Sequence, residues 1–149
     1  MPTVHLAGRV VDLRPDSFVA SGGEATVYAL GDTAYKVFSS PIDTARLAAL
    51  RRLNVPGAVL PIEPLTDDQG HTVGHTMRFV QDATPLSRLL SRRYCDENGF
   101  DASARLAIVR QLADLVHSAH RANALVVDLH EGNILLDASR APILIDCSS

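Results

Sequence analysis

Short alternating runs of apolar and polar residues fill the first half of the chain, and three- and four-residue apolar steps dominate later. Val4 to Val11 and Phe18 to Phe38 contain strand-like segments broken by Pro15, Gly22-Gly23 and Gly31-Asp32. Ser40-Pro41 predicts the start of a helix running to about Leu53, with Ser as N-cap and Pro at the first helical position. Val59 to Leu65 and Val73 to Val80 read as two further strands around the polar turn 66–70. Pro85 to Arg93 suggests a short helix. Asp101 to about Arg121 predicts a long one, which Asp101 caps and Asn123 ends. Leu106, Val109, Leu112 with Ala113, and Val116 form its apolar stripe. Leu125 to Asp128 and Ile134 to Asp137 complete the series as short strands.

Composition narrows the class. The chain has 149 residues, of which 46% are hydrophobic, enough for a core within one domain. A net charge of −3 and the lack of a basic tract argue against nucleic acid as a partner. No apolar run approaches the roughly 18 residues of a membrane span, and the N-terminus has no signal-peptide pattern. The expected location is therefore cytoplasmic, with no membrane partner. Two cysteines, Cys95 and Cys147, are too few for a disulfide framework.

Candidate chemistry gathers at both ends of the chain. Asp128-Leu129-His130-Glu131-Gly132-Asn133 places an Asp and an Asn five residues apart after an apolar run. Thirteen residues beyond Asn133 comes Asp146, behind Ile143-Leu144-Ile145. Two carboxylates and an amide oxygen suit a hard cation such as Mg²⁺ and a phosphate, although Asp, Gly and Asn are also ordinary turn residues. Near the N-terminus, Ser21-Gly22-Gly23-Glu24 reads as a glycine turn leading into a strand. A second strand, Thr33 to Phe38, carries Lys36 at its middle. Glycines let backbone N–H groups approach phosphate oxygens, and a lysine adds a point charge. By itself this could equally be a hairpin with an exposed Lys. His117 and His120, three apart on the long helix, lack a third ligand and read as ordinary helix histidines.

Taken in order, the glycine turn, Lys36, Asp128, Asn133 and Asp146 resemble the protein-kinase-like superfamily, from about Phe18 to Cys147. The resemblance implies an α+β, protein-kinase-like fold: a β-rich small lobe over 1–81, then the first, mainly helical part of a large lobe over 82–149. It implies that ATP and Mg²⁺ are bound. Gly22 and Gly23 would cover the phosphates, Lys36 would contact them, and Asp128 would be the catalytic base. Asn133 and Asp146 would hold Mg²⁺. Val27, Ala34, Met77 and Leu135 would enclose the adenine, and Phe79 to Asp82 would form the hinge.

Departures from the family pattern shape the functional expectation. The predicted small-lobe helix carries Arg46, Arg51 and Arg52 but no Glu to pair with Lys36. Asp43 is explained by capping, which leaves Glu24 or Glu63 as candidates for that role. Val126-Val127 stands where protein kinases show His-Arg. His130 replaces a Lys, giving a run similar to aminoglycoside-phosphotransferase-type and other atypical kinases. Asp146-Cys147-Ser148 replaces Asp-Phe-Gly. The sequence ends three residues after Asp146, so the expectation is a truncated bacterial-type Ser/Thr kinase lacking large-lobe helices. The 106–116 stripe should then need cover from a second copy or a partner protein. Three functions follow: a phosphotransferase to protein Ser/Thr, a small-molecule kinase, and a pseudokinase or ATP-binding interaction module.

Overall fold

The computed structural model describes Pro2 to Ile145 apart from Leu125, Val127 and Asp128. The described residues form two compact units. The first runs to Arg52 and resumes over Leu60–Phe79; the second takes Leu53–Val59 and everything from Val80 onward.

The first unit is built on a seven-stranded sheet. Its strands are β1 (Thr3–Leu6), β2 (Arg9–Asp12), β3 (Phe18–Ser21), β4 (Ala25–Leu30), β5 (Thr33–Phe38), β6 (Pro64–Thr66) and β7 (Thr72–Arg78), in the order β2-β1-β6-β7-β5-β4-β3. Every neighbouring pair is antiparallel. Positive φ at Ala7 and Gly8 turns β1 into β2, and Gly31 does the same between β4 and β5. One face of the sheet buries Val4, Tyr35 and Leu65 with Leu13, flanked by Tyr28 and Val37. The expected strand from Val59 shrinks to Pro64–Thr66, because Ile62 and Glu63 bond to Thr76 outside the regular ladder.

The turn between β6 and β7 is held by Asp67, whose Oδ1 accepts from the N–H groups of Gln69 and His71. Desolvation raises this carboxyl, but the His71 N–H, the His71 ring, the Gln69 N–H and the charge of His71 together hold it below the usual carboxylate range.

Helix α1 covers Thr44–Arg51, starting later than expected. Asp43, not Ser40, is its N-cap, accepting from the Ala45 N–H at 2.8 Å. A carboxylate three residues nearer the apolar Leu47 than Ser40 outcompetes the Ser-Pro pair.

In the second unit, β8 (Thr84–Pro85), β9 (Ile134–Leu136) and β10 (Pro142–Leu144) form a three-stranded sheet in the order β10-β9-β8. The helix expected over 85–93 is instead a 3₁₀ stretch, Leu86–Leu90, followed by α2 (Arg92–Asn98) capped by the Ser91 hydroxyl. Gly99 ends α2 with φ +69°. Arg140, from the β9–β10 turn, donates to the carbonyls of Asn98 and Gly99 and lies 4.2 Å from the centroid of Phe100. A cation thus sits on the negative end of α2.

Helix α3 spans Ala102–Arg121, with Asp101 accepting from the Ala104 N–H at 2.7 Å. At its end Asn123 takes a positive φ and donates to the His120 carbonyl, while the Ala124 N–H reaches the Ala119 carbonyl, a paired bonding that closes the helix. Only part of the apolar stripe read from the sequence is covered, with Leu112 and Val116 half-buried. Leu106 and Val109 are 50% and 60% exposed, whereas Ile108, Leu115 and Ala119 are buried. The apolar face of the helix is broad, and Ile108 joins Cys95, Phe100 and Leu136 in the core of this unit. No helix among the described residues is long and apolar enough to cross a membrane.

Candidate functional site

Strand register brings the predicted residues of the first unit onto one sheet face. Val27 lies opposite Lys36, and Lys36 opposite His75, so these three share a rung. The next rung on the same face is Ala29, Ala34 and Met77. Ala34, Met77 and His75 are all buried. Val27, Ala34, Lys36 and Met77, scattered through the sequence, are thus adjacent. Lys36 is half-buried, and its Nζ lies 5.2 Å from the centroid of the Phe38 ring. Phe38 in turn lies 5.8 Å from the His75 ring, tilted by 46°.

Phe38 pairs with Ala25 across the ladder, which connects this face to the glycine turn. There the Gly22 N–H donates to the Ala25 carbonyl at 2.9 Å, and the Ser39 N–H and hydroxyl both donate to the Glu24 carbonyl. Neither Gly22 nor Gly23 has positive φ. A Cβ added at Gly23 would meet nothing within 4 Å, and one at Gly22 only the Ala25 carbonyl oxygen, at 3.9 Å. Neither backbone conformation nor crowding explains the two glycines. An open pocket of about 350 Å³ adjoins the turn, lined by Ser21 to Thr26, Phe38 and Ser39 together with Pro2, Tyr28 and Val37. Lys36 does not line it, so the hollow sits at the hairpin end and not over the Lys36 rung.

The second unit holds the other predicted group. A 3₁₀ turn, Glu131–Asn133, starts at His130, whose Nδ1 accepts from the Gly132 N–H at 3.0 Å. A Cβ on Gly132 would come 2.7 Å from the His130 ring, so glycine here allows the histidine to cap its own loop. The Asn133 N–H donates to the His130 carbonyl, and the Asn133 carbonyl accepts from the Ile145 N–H at 3.1 Å. The loop is therefore tied to the strand that leads toward position 146. Leu135 is half-buried and pairs with Ile143 and Pro85. Gly57, Ala58 and Val59 clasp β10: the Leu144 N–H donates to the Gly57 carbonyl, and the Val59 N–H to that of Leu144. Asp128 and Asp146 lie outside the described residues, as does Cys147. Among the described residues no cluster of three or more His, Cys, Asp or Glu could hold a metal ion. The amide oxygen of Asn133 is a hard donor suited to Mg²⁺, and the two predicted carboxylates would complete such a set.

Two residues not expected from the sequence, Phe38 and His75, share the face of the candidate residues, and a third, Gly74, lies in the neighbouring rung. Phe38 and His75 were readable in principle, since two-residue steps from Lys36 and Met77 put them on the same face. Gly74 was not. A Cβ there would fall well inside contact distance of the Lys36 carbonyl oxygen, a close approach that only the strand pairing reveals.

No protein-family model matches the sequence, and no curated protein matches it. Among solved structures it is similar to the kinase domain of maize sucrose-induced receptor kinase 1, which was crystallised bound to AMP-PNP. The match has a TM-score of 0.67 at 17% identity and covers 96% of this chain. The chain spans 56% of the length of that kinase-domain chain. A curled antiparallel sheet followed by helices, superposing on a kinase domain along nearly its whole length, gives this chain an α+β, protein-kinase-like fold.

Proposed function

We propose that this chain binds ATP with Mg²⁺ and transfers the γ-phosphate to a hydroxyl, in the manner of a Ser/Thr protein kinase. The observation that carries the reading is the single sheet face bearing Val27, Ala34, Met77 and Lys36 next to a glycine turn whose glycines the fold itself does not require. An apolar patch beside a cation suits an adenine and its phosphates. Glycines with open space above them suit close approach by phosphate oxygens. The match to a domain bound to AMP-PNP supports the same ligand class. On this reading the two compact units are a small lobe and the first part of a large lobe.

Lys36 would bind the α/β-phosphates, Asp128 would accept the proton of the substrate hydroxyl, and Leu135 would close the adenine site. Asn133 and Asp146 would hold Mg²⁺, which supplies charge neutralisation at the phosphates. Binding without transfer is the second reading, favoured by the lack of any acidic side chain in α1, Thr44–Arg51. The partners proposed are a protein substrate and, at the exposed Leu106–Val109 side of α3, a second copy or another protein.

Thermal melting with and without Mg·ATP tests the reading. A ligand at about 100 times its Kd adds roughly 2.7 kcal/mol of stability. The parent should melt higher with Mg·ATP, and Lys36→Ala should lose most of that shift. Asp128→Ala should abolish phosphate transfer while keeping the shift, because a base acts in the transition state. A parent whose melting is unmoved by millimolar Mg·ATP would refute nucleotide binding.

A further inference from the structure

We propose that the Phe38 ring, backed by His75, is a positioning residue for the Lys36 ammonium, holding it toward phosphates delivered under the glycine turn. The inference rests on the nucleotide reading above and adds to it the means by which the lysine is aimed. Lys36 and Phe38 are two residues apart on β5 and so project to the same face. The ammonium is 5.2 Å from the ring centroid, within the roughly 6 Å at which a cation is drawn to the negative face of an aromatic ring. The ring is fixed from two sides. Ala25, which ends the glycine turn, is its cross-strand partner, and the buried His75 ring packs at 5.8 Å. Phe38 is also among the residues that line the open hollow beside the turn, so it stands between the lysine and the glycine-turn end of the strand.

A flexible four-carbon stem loses conformational freedom when its ammonium is held for a ligand. An aromatic platform built into the same strand imposes that order before the nucleotide arrives.

The test replaces Phe38 in the full chain with mono-, di- and trifluorophenylalanine. This series drains the ring's negative face while leaving its shape nearly unchanged. Two quantities are read: Mg·ATP affinity by calorimetry, and the upfield NMR shift that the ring imposes on the Lys36 ε-methylene protons. Affinity should fall stepwise with fluorine content, by about threefold to tenfold at trifluoro, and Phe38→Leu should abolish the upfield shift. Affinity that stays flat across the series in a parent that binds Mg·ATP would overturn the positioning role and leave the nucleotide reading intact. An absent upfield shift in the parent would also overturn the role. A parent that shows the upfield shift yet binds no Mg·ATP would overturn the nucleotide reading, and the role with it.

Discussion

Single residues in this chain act mainly by permitting or denying an approach. Gly74 allows β7 to lie against the Lys36 carbonyl, and Gly132 allows His130 to fold over its own loop, yet the two differ in what a methyl group would displace. At Gly132 the obstacle is an exposed side chain that can swing away; at Gly74 it is backbone. Gly74→Ala should therefore cost about 1–3 kcal/mol in chemical denaturation, the usual penalty for overpacking. Because the strand displaced is β5, the variant should also bind Mg·ATP more weakly than the parent. Denaturation unchanged to within experimental error would show that β5 and β7 can separate without loss. Roles of this kind are hard to read in a sequence. Lys36 announces itself by its charge in an apolar run, and Val27 and Ala34 are implied by the kinase resemblance, but the demand for Gly74 arises only from a neighbour 38 positions away.

Elements show the same division. The strands from β3 to β5 are legible because Pro15, Gly22-Gly23 and Gly31-Asp32 punctuate them, the β1–β2 turn at Ala7-Gly8 is not, and α3 is legible because Asp101 and Asn123 mark its ends with chemistry that works locally. The start of α1 and the stretch after Pro85 differ from the sequence expectation because two capping residues compete in each. At 40–43 the later Asp prevails, and at 85–93 Ser91 rather than Pro85 opens the α-helix. The buried side of α3 differs from expectation for another reason. Its apolar face is broad, reaching from Leu115 and Ile108 to Val109, so periodicity does not fix its centre, and packing against Cys95, Phe100 and Leu136 selects Ile108. Ile108→Ala should cost about 2–5 kcal/mol, whereas Leu106→Ala in the isolated chain should stay within about 0.5 kcal/mol. Equal losses from the two variants, measured by urea unfolding, would mean that both sides of α3 are covered.

At the scale of the whole molecule, the exposed Leu106–Val109 side bears on assembly. If a second copy covers it, light scattering should give twice the 16.0 kDa chain mass, and Val109→Glu should return the monomer. A parent that is monomeric at high concentration would leave the surface to a different protein. The seven-stranded sheet raises a separate matter, because it ends in β3, whose four residues are all exposed. Phe18 and Val19 present 53% and 44% of their surface, and a strand at the border of a sheet offers unpaired backbone groups to any other chain. Here the pairing with β4 slips between Phe18 and Ala20, and Phe18 turns edge-on to Tyr28 with ring centroids 6.3 Å apart. An irregular border of this kind makes a poor template for growth of a cross-β fibril. Deleting Val19 would straighten that border, and the resulting protein should bind thioflavin and form fibrils sooner than the parent. The irregularity that looks like an imperfection in β3 thus acts as protection against amyloid.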